Sequence, residues 1–103
     1  MLEGVLYQIV SRAQNSAVVR YLPQSPIYAA HFPGYPITPG VTIVQTALEL
    51  MGCHMTGAKE VKFMVPVFPA SEARFEWALE DGQARVNVFL EPDTLCAKMT
   101  LSV

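Results

Sequence analysis

Basic residues are scarce in this chain: 103 residues carry only seven Lys and Arg against nine Asp and Glu, for a formal charge of -2. Binding a nucleic-acid backbone needs a clustered basic stripe, and here the positive residues are scattered, which argues against that class. Cysteine is scarce too. Cys53 and Cys96 have no metal-ligand spacing, and both read as buried thiols rather than as a disulfide. No apolar run approaches the roughly 18 residues of a membrane span, and Met1-Leu2-Glu3 opens no secretory leader. The expectation is a cytoplasmic protein that does not enter a membrane. Repeats, low-complexity tracts and linkers are lacking, and no grouping of His, Cys and carboxylate suggests a metal or an organic cofactor.

Apolar residues are abundant instead. At 51% hydrophobic content, the length suits one modest core and a single domain over residues 1–103. Gly4 to Val10 and Ala17 to Leu22 are strand-like around Asn15-Ser16, which reads as a hairpin. From Glu72 to Glu80, charged Glu72, Arg74, Glu76 and Glu80 alternate with apolar Ala73, Phe75, Trp77 and Leu79, predicting a strand with one wet and one dry face. Asp81-Gly82 is a turn signal, Arg85 to Glu91 runs back from it, and Cys96 to Val103 gives a last alternating strand. Between Gly40 and about Met55, Val44, Ala47, Leu48, Met51 and Met55 recur at helical spacing, and His54 reads as a residue capping the helix's C-terminal end. One such apolar helix among five or six strands predicts an α+β fold, a curved antiparallel sheet wrapped around a central helix. An unpaired edge strand in that sheet would favour a dimer.

The chemistry concentrates in His31-Phe32-Pro33-Gly34-Tyr35-Pro36-Ile37-Thr38-Pro39-Gly40, where three prolines fix φ and two glycines allow unusual backbone turns around an imidazole, leading into the helix. His-Phe-Pro-Gly-x-Pro-x-x-Pro-Gly before an apolar helix resembles the active-site segment of the β-hydroxyacyl-acyl carrier protein dehydratases. The match continues through Val41-Thr42-Ile43-Val44, and Val61 to Pro69 is similar to the strand and turn that follow the helix in that family. The resemblance implies the hotdog fold and a homodimer whose active sites are shared between subunits. It also implies an acyl carrier protein or coenzyme A thioester as substrate, in fatty-acid or related acyl biosynthesis.

Eliminating water from a 3-hydroxyacyl thioester needs a base for the proton beside the carbonyl and an acid for the departing hydroxyl. His31 suits the base near neutral pH. Free backbone N–H groups at the start of the helix could polarise the thioester carbonyl, and the resemblance gives that role to Gly40. Val41, Phe32 and Phe63 are expected to contact substrate, with Phe63, Val65 and Phe32 either walls of an acyl tunnel or ordinary core. Thr38, Thr42, Gln45 and Glu49 draw one polar line along the helix, which either faces solvent or lines the cleft.

At the position where the resembling dehydratases hold Glu or Asp, this chain has Gln45, and where many of them have Gln, it has Glu49. A carboxamide cannot exchange a proton as a carboxyl does. Three readings stay open: Glu49 serves from one turn deeper, His31 moves the proton alone while Gln45 holds substrate or water, or catalysis is lost. The third is a noncatalytic acyl-carrier binding subunit, and a thioesterase is a further alternative. An acidic carrier would need Lys59, Lys62, Arg74 and Arg85 gathered by folding.

Overall fold

The computed structural model describes residues 1–30, 34 and 36–103. Strands β1 (Tyr7–Ala13) and β2 (Ser16–Tyr21) are followed by a single-turn helix α1 (Pro26–Ala30) and the longer α2 (Gly40–Met51). Then come β3 (Gly57–Phe63), β4 (Glu72–Glu80), β5 (Gln83–Leu90) and β6 (Thr94–Ser102). All six strands join one antiparallel sheet in the order β1-β2-β4-β5-β6-β3. The expected plan of one long helix against such a sheet is what the chain adopts. No helix among the described residues is long and apolar enough to cross a membrane.

The alternation in β4 works as it reads in the sequence, because Ala73 and Phe75 are buried while Glu72 and Glu76 are exposed. Cross-strand pairing carries that buried face through the sheet. Ala17 lies opposite Phe75, Phe75 opposite Val88, and Val88 opposite Ala97, and all four are at most 2% exposed. Within β4 the alternation fails at its end, where Leu79 is 51% exposed beside the Asp81-Gly82 turn. Both turn residues have positive φ (52° and 74°), as a two-residue hairpin with the right-handed strand twist requires. In β6, consecutive residues Cys96 and Ala97 are both buried. The ladder shifts register there, so Cys96 sits in a bulge, and its carbonyl accepts the backbone N–H groups of Met64 and Val65 (2.8 and 3.3 Å).

Ile43, Ala47, Leu48 and Leu50 of α2 belong to the same core as the sheet's inner face. Hydroxyl groups hold the helix in place: Tyr21 donates to Thr46 Oγ1 at 3.1 Å, and Tyr28 and Thr38 share a buried hydrogen bond of 2.8 Å. The helix ends earlier than its apolar spacing suggests, at Met51. Gly52 takes the left-handed conformation (φ 69°, ψ 32°), its N–H reaches the Glu49 carbonyl, and the Cys53 N–H reaches that of Leu48, a Schellman closure that a glycine permits. His54 is therefore not the cap. It is exposed, two residues beyond the closure, and the positive charge at this helix end comes from β1, where Arg12 donates to the Leu50 carbonyl at 2.7 Å.

The hairpin also differs in register from its sequence outline. The segment before Tyr7 is a turn in which Leu6 N–H reaches the Leu2 carbonyl at 2.8 Å, so β1 begins at Tyr7 and runs on to Ala13. Helix α1 was not foreseen, although Ser25-Pro26 is a starting signal: serine can cap, and proline suits a first helical position that has no use for an N–H. Both cysteines are free thiols. Cys96 is buried as expected and burial raises its pKa, whereas Cys53 is only half-buried.

Candidate functional site

The start of α2 is built for close approach. Pro39 precedes the helix in extended conformation (φ -60°, ψ 138°) and no side chain caps it. The Thr42 and Ile43 N–H groups fold back onto the Pro39 carbonyl (3.0 and 3.3 Å), while those of Gly40 and Val41 have no intrahelical acceptor. Thr38 N–H donates to the Val67 carbonyl at 2.7 Å, which draws the segment after β3 against the helix. The Phe63 ring then lies over Gly40: a Cβ there would sit 2.6 Å from Phe63 Cε2 and 2.8 Å from Cζ, a separation no real contact tolerates. A side chain at position 40 is thus opposed by the ring rather than by the backbone angles.

Between these parts lies an apolar cleft of about 330 Å³, bordered by Ile37, Gly40, Ile43, Phe63, Val65 and Val67. Gly40, Phe63 and Val65, expected from the sequence to line the site, are brought together here. Val41 points away from the core and is 77% exposed, and Phe63, Met64 and Phe68 are 43–48% exposed. His31 and Phe32 lie outside the described residues.

Of the polar line along α2, two members are already committed. Thr38 is buried against Tyr28, and Thr42 Oγ1 donates to the Pro39 carbonyl at 2.6 Å. Gln45 and Glu49 remain, and they touch: Gln45 Nε2 donates to Glu49 Oε2 at 3.0 Å. They border a second groove of about 490 Å³ at the far end of the helix, with Met1, Leu48, Cys53 and His54. The sequence-expected residues thus fall into two groups, Gly40 with Phe63 and Gln45 with Glu49, in separate depressions of one chain.

Glu49 is the most heavily bonded carboxylate among the described residues. Besides Gln45, it accepts the Leu2 N–H (2.8 Å to Oε2, 3.1 Å to Oε1), the Glu3 N–H (3.3 Å) and the Tyr7 hydroxyl (2.7 Å). Partial burial pushes its pKa up, but the hydrogen bonds from Gln45, Tyr7 and the two backbone N–H groups outweigh burial and hold it below the ordinary value. Burial in turn raises the Tyr7 pKa, with Glu49's hydrogen bond and charge adding to the effect. Tyr7 was not singled out in the sequence. Its partner stands 42 residues away, and no local pattern announces such a pair.

Of the four cations expected to greet an acidic partner, two are already engaged with carboxylates. Arg74 is bonded to Glu76 (2.8 Å), Glu91 (2.6 Å) and Asp93 (3.4 Å) and lies 4.6 Å from the centre of the Phe89 ring, and Lys62 stands 3.6 Å from Glu60. Among the described residues no group of three His, Cys, Asp or Glu could hold a metal ion.

A family model described as ApeI dehydratase, of the ApeI-like group, matches residues 9–99. The 3-hydroxyacyl-[acyl-carrier-protein] dehydratase FabZ of a Hydrogenobaculum species is 31% identical over 80 residues, covering 75% of this chain and 52% of that protein. FabZ of Bacillus pumilus is 36% identical over 63 residues, covering 59% and 44%. The chain spans about half the length of the curated relatives it matches. Among solved structures, the dehydratase heterocomplex ApeI:P from Xenorhabdus doucetiae superposes with a TM-score of 0.72 at 17% identity, covering 93% of this chain and 96% of that one. The E. coli PaaI protein, from the phenylacetic acid degradation operon, gives 0.64 at 13%, covering 97% and 79%. At these identities the likenesses carry the fold, and it is the hotdog fold.

Proposed function

The chain belongs to the ApeI-like dehydratase family, and from that membership we propose that it binds 3-hydroxyacyl thioesters and eliminates water from them to give 2-enoyl thioesters. The observation that carries the reading is the apolar cleft opening at the bare start of α2, where Phe63 covers Gly40. An acyl chain suits the apolar wall, and backbone N–H groups at Gly40 suit a carbonyl oxygen on which negative charge gathers. His31, three residues after Tyr28 of α1, takes the proton from the carbon beside the carbonyl. The electron pair forms the new double bond, and the hydroxyl leaves the next carbon as water with the proton returned by His31, while Gln45 holds the hydroxyl or a water by hydrogen bonds. Glu49 is a poor source of that proton as it stands, because four donors keep it ionised.

The substrate would be presented by an acyl carrier protein or coenzyme A, in fatty-acid or related acyl biosynthesis in the cytoplasm. Assembly completes the site in this reading. Gly40 and Gln45 border separate depressions of one chain, and the exposed Val41, Phe63 and Met64 flank the open edge strand β3, so a second subunit laid along that edge would cover them and bring the two groups of residues toward each other. The partner is a second copy or, as the heterocomplex of ApeI suggests, a related dehydratase chain. A carboxylate from such a chain would supply the acid that Gln45 cannot.

One observation favours a second reading, an acyl-binding subunit without catalysis: the exposed position on α2 carries a carboxamide and the neighbouring carboxylate is fully engaged. Turnover of short- and medium-chain 3-hydroxyacyl and 2-enoyl thioesters by the unsubstituted protein and by His31→Ala decides between them, with thiol release followed in the same wells. Interconversion lost in His31→Ala supports the dehydratase. Binding without turnover, unchanged in His31→Ala, supports the accessory subunit, and released thiol supports a thioesterase.

A further inference from the structure

The contact between Gln45 and Glu49 settles which way the Gln45 amide faces. A glutamine side chain can present either its oxygen or its nitrogen to a neighbour, and the two ends differ only in hydrogen-bonding sense. Here the neighbour leaves no choice. Among the described residues, each group hydrogen-bonded to the Glu49 carboxylate is a donor: the Leu2 and Glu3 N–H groups, the Tyr7 hydroxyl and Gln45 Nε2. An ionised carboxylate only accepts, so turning the amide over would set two acceptor oxygens about 3 Å apart. The Gln45 nitrogen is thereby held toward Glu49, and its oxygen Oε1 is held on the side away from it. Gln45 is exposed and borders the groove at this end of α2, so the fixed oxygen is open to whatever enters.

We propose that Glu49 is a positioning residue that locks Gln45 as a hydrogen-bond acceptor, so that the site selects acyl thioesters carrying a hydroxyl donor at carbon 3. This rests on the reading of the protein as a 3-hydroxyacyl thioester site and adds the source of its selectivity. A 3-hydroxyl donates a hydrogen bond to Oε1. A 3-oxo group offers only an acceptor and meets the locked oxygen with repulsion, and a saturated chain offers nothing.

Calorimetric titration in a His31→Ala background, where ligand is not consumed, compares 3-hydroxyacyl, 3-oxoacyl and saturated acyl thioesters of one chain length. The expected result is at least tenfold tighter binding of the hydroxyacyl form than of the oxoacyl form. Adding Glu49→Gln, whose amide both donates and accepts, frees Gln45 to turn over, and the ratio falls toward one. Tyr7→Phe removes another bond to Glu49 but keeps the carboxylate, and the ratio stays high. A purely structural role for Glu49 would weaken all three ligands alike and leave the ratio unchanged, which overturns the proposal. Should Glu49→Gln not fold, Gln45→Met removes the acceptor at an exposed position and is expected to abolish the preference. In the unsubstituted protein, one of the two Gln45 side-chain amide protons is expected to resonate well away from its free-amide position because of its bond to Glu49, and to return toward it in Glu49→Gln; a free-amide shift for both protons in the unsubstituted protein would overturn the lock. Failure of all three thioesters to bind overturns the underlying reading instead, as does absence of both turnover and binding in the unsubstituted protein.

Discussion

At position 40 a single hydrogen separates an open cleft from a closed one. A methyl group at Gly40 would stand 2.6 Å from the Phe63 ring, and because that ring is about half exposed, it has room to swing away rather than force the backbone to move. Gly40→Ala is therefore expected to fold with a melting temperature close to that of the parent, while acyl thioester binding or turnover falls by tenfold or more. Pairing it with Phe63→Ala should restore part of the loss, since the clash disappears with the ring. A stability loss as large as the functional one would contradict this. Position 45 tests a different kind of contact. Gln45→Glu alone places two carboxylates at hydrogen-bonding distance, where like charges repel and one carboxyl keeps its proton to higher pH. At neutral pH Gln45→Glu is expected to melt below the parent, by about 0.5 kcal/mol of stability for such a like-charge pair on a helix surface, read by denaturant unfolding, and the gap should narrow as pH falls and the extra proton binds.

Among the elements, α2 is held from both sides of the chain. Its far end is fastened to β1 and the turn before it, through Glu49 to Leu2, Glu3 and Tyr7 and through Arg12 to the Leu50 carbonyl. Its near end is fastened by Tyr28 to Thr38 and by Thr38 to Val67. Removing the Tyr7 hydroxyl in Tyr7→Phe takes away a partly buried bond to a charged acceptor and is expected to cost about 1–2 kcal/mol, read by denaturant unfolding. Glu49's own contribution depends on pH in a defined direction. Its pKa in the folded protein lies below the ordinary value, so the stability it adds is fully present above the unfolded glutamate pKa of about 4.3 and is lost as pH falls through the folded value. Unfolding of the parent and of Glu49→Gln, followed from pH 7 to pH 3, should therefore converge on the acid side. A constant difference would place the stabilisation in packing instead of ionisation.

For the molecule as a whole, the sheet has two edges, β1 and β3, and they are unequal. β3 carries the exposed apolar residues Val61 and Phe63, and Met64 follows directly, next to the cleft. Exposed edges of this kind invite pairing, and a lysine pointing from the edge prevents it. Val61→Lys is expected to convert a dimer of this chain to monomer by analytical ultracentrifugation and to lower activity with it. If the chain instead works with a related partner, the unsubstituted protein alone would sediment as a monomer, and co-expression with that partner would produce the dimer that Val61→Lys disrupts.

The sequence by itself determined the elements whose signals are local. Alternation placed β4 at Glu72–Glu80, the stretch observed; Asp81-Gly82 placed its turn; and helical spacing placed α2, because a strand or helix with one buried face writes its period into the chain. It also marked Gly40, Phe63, Gln45 and Glu49 by motif and spacing. What only the tertiary structure decided is how those residues meet. The end of α2 at Gly52 was set by a closure that outcompeted the apolar spacing running on to Met55, and Arg12, not His54, took the helix's negative end because the fold carries β1 past it. Tyr7 became Glu49's partner across 42 residues, and Phe63 became the lid of Gly40 through contacts made by Thr38 and Val67. Such contacts depend on how the sheet is ordered in space, and no periodicity in the chain encodes the distance between two elements.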